Sequence, residues 1–293
     1  MLSAILIISK TNQKIIKGVE LMQFDENEIR QIVQNLCMMN NKFLNRMLVD
    51  NIEAAEIFLQ VIMKDDTIKV IDVRIQSFIQ NLYGHSAQLD ILAQDGLGRY
   101  FNVEVQRSDE GAPVRRARYY SSVLDTHFLQ PGVDYDELPD SYVIFITEND
   151  VLKKNRPLYT VDRVIKEDGT DFGDGSHIIY VNSKIQDDTA LGRLMQDLYC
   201  TNPDELHYKE FAKRMKFLKY NKEGEEKMTD LIEEYAQKMA KQAAEKTAQE
   251  TNYKKSVEVA LSLLADGMSM EFAAKHSKLT LDEVRELAEK RSA

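Results

Sequence analysis

Residues 88–106 constrain the fold of this chain more than any other stretch. Gln88-Leu89-Asp90-Ile91-Leu92-Ala93-Gln94 is followed by Asp95-Gly96-Leu97-Gly98-Arg99, and then by Tyr100-Phe101-Asn102-Val103-Glu104-Val105-Gln106. Two alternating runs joined by a short glycine-containing turn read as an antiparallel hairpin. Centred on Leu97, the hairpin sets Asp90 opposite Glu104, because residues equally distant from a tight turn pair across the ladder. Alternation puts Leu89, Ile91, Ala93, Phe101, Val103 and Val105 on one face and Asp90, Asn102, Glu104 and Gln106 on the other. Like charges facing each other across a ladder are destabilising. Either water covers them on a wet outer face, as antiparallel sheets often allow, or a cation neutralises them. A divalent metal is the natural candidate.

The flanking sequence supplies the rest of an α/β domain. Ile29, Ile32, Val33 and Leu36, then Ile52, Ala55, Leu59 and Ile62, recur at helical spacing and predict amphipathic helices over Asn27–Met39 and Asp50–Met63. Thr67–Phe78 alternates, with a hitch at Ile71-Asp72 that predicts a bulged strand. After the hairpin, Pro113 opens a helix whose small and apolar stripe is Val114, Ala117, Ser121, Leu124 and Phe128, ending before Pro131-Gly132. The unbroken apolar run Tyr142–Ile146 predicts a strand covered on both faces, and turn signals flank a further short strand, His177–Val181. From Asp187 the pattern is helical. A long Glu/Lys/Gln/Ala-rich stretch, Glu225 to about Ala265, reads as a solvated helix or coiled-coil arm ended by Gly267. Two short helices follow, the second opened by the capping box Thr280-Leu281-Asp282-Glu283. Acids at the start of that helix disfavour its reading DNA bases, so a helical hairpin packed on the arm is expected.

The chain has 293 residues and a formal charge of −10, which argues against a protein that coats nucleic acid with a broad basic surface. A small, metal-bridged contact with DNA remains compatible. Cys37 and Cys200 are the only cysteines and form no CxxC or Cys/His cluster, so a disulfide framework or zinc site is not indicated and a reducing, cytoplasmic setting fits. The apolar run Ala4–Ile8 has no basic residue before it and no small-residue cleavage site after it, so it is not read as a secretion signal. No stretch approaches the roughly 20 apolar residues of a membrane helix. Five scattered histidines (His85, His127, His177, His207, His276) give no support to a histidine mechanism.

Asp90, thirteen intervening residues and then Glu104-Val105-Gln106, inside an order of helix, three strands, helix, strand, resembles the PD-(D/E)xK nuclease fold. More narrowly, the chain resembles the Rpn recombination-promoting nucleases, often labelled PD-(D/E)xK nuclease family transposases. The strings Leu89–Leu92, Asn102–Gln106, Arg116-Ala117-Arg118-Tyr119-Tyr120, Gly132-Val133-Asp134-Tyr135 and Val143–Ile146 carry that resemblance, from about Asn41 to Val181 and more loosely to Glu286. It implies an α/β restriction-endonuclease-like core (α-β-β-β-α-β, a mixed sheet flanked by helices) followed by an all-helical C-terminal region. The expected organisation is an N-terminal extension and helix (1–40), the nuclease-like domain (41–183), a helical subdomain (184–222) and a long helical arm ending in a short hairpin (223–293).

By the same resemblance, Asp90 and Glu104 hold Mg²⁺, with Mn²⁺ an allowed substitute, and their hard carboxylate oxygens suit such an ion. Gln106 takes the lysine position; it can hydrogen-bond the attacking water but brings no positive charge. The expected reaction is metal-assisted hydrolysis of DNA phosphodiesters. Arg116 and Tyr120, one helical turn apart, are set either to overlook the hairpin and contact phosphate or to be a solvated arginine and a tyrosine packed on the sheet. Arg115 and Arg118 are expected to lie outward. Sites of this fold often draw another acid from the first helical region, where Glu53 and Glu56 are available. Two other readings stand beside the nuclease. One is a catalytically weak or inactive DNA-binding recombination accessory protein, marked by Gln106; the other is a homo-oligomeric assembly module using the Glu225–Ala265 helix.

Overall fold

The computed structural model describes residues 26–79, 86–107, 112–129 and 131–292. The Ala4–Ile8 run and His85 lie outside the described residues. Helices α1 (Glu26–Asn35), α2 (Asn41–Leu48) and α3 (Ile52–Met63) precede strands β1 (Val70–Ile79), β2 (Ala87–Asp95) and β3 (Tyr100–Gln106). Helix α4 (Val114–Phe128) then leads to β4 (Ser141–Thr147), β5 (Leu158–Val161) and β6 (Ser176–Asn182). The six strands form one mixed sheet in the order β1-β2-β3-β4-β6-β5. Strands β1 to β3 are antiparallel, β3, β4 and β6 are parallel, and β5 closes the far edge antiparallel to β6.

The sheet is covered on both faces. Ile91, Ala93, Phe101, Val103, Val105, Ile144, Ile146, Ile179 and Val181 face a core completed by Phe43, Leu44, Phe58, Leu59, Leu194 and Phe211. On the other face Leu92, Val143, Phe145 and Tyr180 pack under Ala117, Tyr120, Val123 and Leu124 of α4. The three-layer arrangement explains why β4 reads as continuous apolar sequence: it is buried from both sides.

The hairpin register follows its turn. Asp95 Oδ1 accepts the amides of Leu97 (3.0 Å) and Arg99 (2.9 Å), and Asp95 Oδ2 accepts Arg99 Nε at 2.7 Å. Gly98 adopts φ 81°, the left-handed region that closes such a three-residue loop. The resulting pairs are Gln94↔Tyr100, Ala93↔Phe101, Leu92↔Asn102 and Ile91↔Val103. Strand β1 carries the expected irregularity, a register shift between Val70 and Asp72.

One helix was not among the expected elements, and two local expectations need correction. Asn41–Leu48 is a separate helix capped by Asn40 Oδ1, which accepts the Phe43 amide at 3.1 Å. Val114 is exposed rather than buried, because it opens α4 before the helix lies over the sheet, whereas Tyr120 joins the covered stripe. Leu89 packs with Ala87 and Ile79 in the cluster under α4, not with Ile91. The β2–β3 pairing stops at Ile91↔Val103, and the start of β2, paired only with β1, parts from β3 there.

Among the described residues the chain divides into two compact units, one through Ile232 and one from Glu233. The first adds helices α5 (Ala190–Tyr199), α6 (Lys209–Tyr220) and α7 (Lys222–Glu226) to the sheet domain. Helix α8 (Thr229–Ala265) continues from the first unit into the second, which ends with α9 (Met270–Ser277) and α10 (Leu281–Ser292). Gly267, at φ 78°, closes α8: the Met268 amide donates to Leu263 O (3.0 Å) and the Gly267 amide to Leu264 O (3.3 Å). Ala260, Ala273, Ala274, Leu279 and Val284 make a small separate core joining α9 and α10 to the end of α8. The capping box forms as expected, Thr280 N donating to Glu283 Oε2 (2.7 Å) and Glu283 N to Thr280 Oγ1 (3.3 Å). No helix among the described residues is long and apolar enough to cross a membrane.

Candidate active site

Asp90 lies where β2 leaves β3, one residue beyond the last ladder pair, Ile91↔Val103. Its amide donates to Glu104 Oε1 at 3.2 Å, while the Val105 amide supports the Asp90 carboxylate. Each acid therefore takes over a backbone bond that the ladder no longer supplies. The sequence register set these two residues face to face, and the structure brings their carboxyls together. The face is not uniformly wet: Glu104 is only 1 % exposed, with Arg116 of α4 beside it, while Asp90 and Gln106 are half-buried.

That burial sets the electrostatics. Desolvation, then repulsion from Asp90, pushes the Glu104 carboxyl up to about 8. Desolvation also raises Asp90, opposed by the Asn41 side chain, by Arg116 and by Glu104 itself. The two carboxyls titrate as a pair, and burial with mutual repulsion opposes the second negative charge. Arg116 faces the pair: its Nη2 lies 3.5 Å from Glu104 Oε2 and donates to the Tyr120 hydroxyl at 2.9 Å. The guanidinium also rests over the rings of Tyr120 (5.1 Å) and Phe145 (5.8 Å). Arg116 and Tyr120 are thus both at the acid pair, and Arg115 and Arg118 are exposed, as expected. Gln106 ends β3 opposite Thr147, on the Glu104 side by alternation.

Neither Glu53 nor Glu56 belongs to the pair. Glu56 binds Lys69 Nζ at 2.7 Å and the Val70 amide at 3.2 Å, fastening α3 to the start of β1. Glu53 is exposed in a cleft with Asp50, Glu210, Lys213 and Arg214. The group from the helical region that reaches Asp90 is an amide, Asn41, at the first turn of α2. The signal for it lay in Phe43, Leu44, Met47 and Leu48, whose helical spacing starts a helix just after Asn40-Asn41.

Asn102 is the second group that sequence reasoning did not single out as functional. It is fully buried, and neither its Oδ1 nor its Nδ2 has a hydrogen-bond partner. Its amide lies close enough to Glu104 to pull that carboxyl down without reaching hydrogen-bonding geometry. An orphaned buried amide beside a strained acid pair costs about 1–3 kcal/mol. Among the described residues no group of three or more His, Cys, Asp and Glu gathers into a metal cluster. The donors on hand for a cation are therefore two hard carboxylates with an unpartnered amide beside them. This set suits a divalent ion of the magnesium type, which takes only one or two carboxylates and fills its shell with water and phosphate oxygens.

No curated protein and no solved structure matches the chain. A family model does match, over residues 50–271, and it spans β1 to β6, α4 and both carboxylates. On that match, the chain belongs to the PD-(D/E)XK nuclease family transposases.

Proposed function

We propose that the protein is a divalent-metal-dependent DNA endonuclease serving recombination or transposition, with Mg²⁺ as the working ion. The observation that carries this reading is the Asp90–Glu104 pair, Glu104 buried and Asp90 half-buried, whose repulsion is only partly met by Arg116 at 3.5 Å. Asp90 and Glu104 would hold the ion, and Asn102 is the adjacent polar group left to complete its surroundings. When bound, such an ion supplies Lewis acidity toward the scissile phosphate and its attacking water. The chain's own contribution is orientation and charge. Gln106, at the end of β3, offers an amide that hydrogen-bonds the attacking water, and Arg116 offers the positive charge that Gln106 lacks. Tyr120 keeps the Arg116 guanidinium beside the acids through the 2.9 Å hydrogen bond.

The test is a panel of labelled double-stranded, branched and single-stranded DNA and RNA, incubated with wild type and Glu104→Ala in Mg²⁺ and Mn²⁺. Cleavage of DNA that needs the ion and is lost in Glu104→Ala supports the reading. Equal cleavage by both proteins overturns it. One observation favours a second reading, a DNA-binding accessory protein with little chemistry: the lysine position holds the uncharged Gln106. That protein binds the ion and DNA but leaves every substrate intact.

A further inference from the structure

The loop from β4 to β5 concentrates unused positive charge at the edge of the sheet where the acid pair lies. Lys153, Lys154 and Arg156 are all exposed, and among the described residues none of them pairs with an acid. Elsewhere in the same unit Lys69, Arg74, Arg99 and Arg163 are each bound to a carboxylate. On a chain of charge −10, these three cations fall within four residues, and α4 carries the exposed Arg115 and Arg118 besides.

The loop is held still despite its exposure. Asp150 accepts the amides of Leu152 (3.1 Å), Lys153 (3.0 Å) and Asn155 (2.7 Å). The Tyr159 hydroxyl donates to Asp150, at 2.7 Å from Oδ2, and accepts the amides of Lys154 (3.2 Å) and Arg156 (3.1 Å). Every amide from Leu152 to Arg156 is thereby fixed. Lys153 is held at φ 54°, a left-handed conformation unfavourable for a lysine, and Asn155 at 52°, which an asparagine adopts more readily. Rigid presentation lowers the entropy lost when a ligand binds.

Topology sets the loop beside the site. Strands β3, β4 and β6 are parallel, so their C-terminal ends share one edge. The Glu148 amide donates to Gln106 O (3.1 Å), and the Asn182 amide to Pro157 O (3.0 Å), tying both ends of the loop there. Val151 and Leu152 pack into the cluster that holds Tyr120 and Phe145.

We propose that this loop is a phosphodiester-binding surface on which Lys153, Lys154 and Arg156 grip the nucleic-acid backbone next to Asp90 and Glu104. It rests on the nuclease reading above and supplies the sequence-independent part of substrate binding. The test is anisotropy of labelled duplex DNA in EDTA, which reads binding apart from cleavage, over a series of salt concentrations. The variant is Lys153→Asn with Lys154→Gln and Arg156→Gln; asparagine tolerates the left-handed backbone. Its affinity falls roughly tenfold or more, and the slope of log K against log salt shrinks by about 2–3, near 0.9 per lost phosphate contact. A control variant, Lys64→Asn with Lys166→Ala, again with asparagine at a left-handed position, changes neither. Equal affinity and slope in wild type and loop variant, an equal loss in the control, or no duplex binding by wild type overturns the proposal. Loop-dependent binding without cleavage in Mg²⁺ or Mn²⁺ sinks the nuclease reading and leaves the loop assignment standing. Cleavage with loop-independent binding does the reverse.

Discussion

Asp90 and Glu104 hold each other across the fork of a hairpin: the Asp90 amide donates to Glu104 Oε1 at 3.2 Å, and the Val105 amide supports the Asp90 carboxylate. The backbone that carries one acid therefore fastens the other. Neither carboxyl can swing away from its neighbour without forfeiting a backbone bond, so their repulsion is kept in the folded state. A protein gains from such an arrangement when a cation arrives to relieve it.

Without metal, stability should fall as pH rises from about 4.5 to about 8. Glu104 is pushed up from 4.5 to about 8 by burial and by Asp90, so across that window the folded state holds a proton that the unfolded state has released. The unfolded state binds fewer protons, which makes the slope of unfolding free energy with pH negative. The loss is on the order of a few kcal/mol, and Glu104→Gln flattens it. Thermal melts of both proteins in EDTA from pH 5 to pH 8.5 check this; parallel curves contradict it.

Binding of Mg²⁺ or Mn²⁺ near pH 7 should release close to one proton per ion, since Glu104 is pushed up to about 8 and the ion displaces the proton it holds. Calorimetry in buffers of different ionisation enthalpy measures this directly. Asp90→Asn should abolish the site, and retention of a wild-type isotherm removes Asp90 from it.

Asn102→Leu should stabilise the metal-free protein by about 1–2 kcal/mol, because it removes an unsatisfied buried amide at similar volume. The same change should weaken Mn²⁺ binding. Stability measured by urea unfolding, with affinity measured on the same preparation, separates this from ordinary core damage, which lowers both.

Arg116→Ala should reduce DNA affinity about tenfold, the worth of one charge-assisted hydrogen bond of ~1.4 kcal/mol, whereas Arg115→Ala changes it little. Arg116→Lys should recover only part of the loss, since lysine keeps the charge but not the planar stack on Tyr120 and Phe145. Equal effects at positions 115 and 116 contradict the assignment.

Five of the strands and the hairpin register were legible because side-chain alternation and turn chemistry are local: Asp95 and Gly98 fix the pairing that sets Asp90 against Glu104. The bulge near Ile71-Asp72 showed itself as a broken alternation for the same reason. Legibility ended where tertiary contact decides. The eight-residue α2 was missed because its polar start looks like a loop, and with it went Asn41, the group that reaches Asp90. The four-residue edge strand β5, Leu158–Val161, exists through its pairing with β6. Glu53 and Glu56 had the right chemistry in the right region, but the helix turns Glu56 toward Lys69 and leaves Glu53 exposed. Burial of Glu104 could not be read either, since alternation describes a face without saying what covers it.

If Asp90 and Glu104 are the acid pair of a metal-dependent nuclease, purified protein nicks supercoiled plasmid in a way that depends on both the ion and Asp90. Wild type should nick the plasmid in Mg²⁺ or Mn²⁺ and not in EDTA, and Asp90→Ala, folded by circular dichroism, should lose that activity. Undiminished nicking by Asp90→Ala, or nicking by wild type that persists in EDTA, rules out this pair as the metal-dependent site.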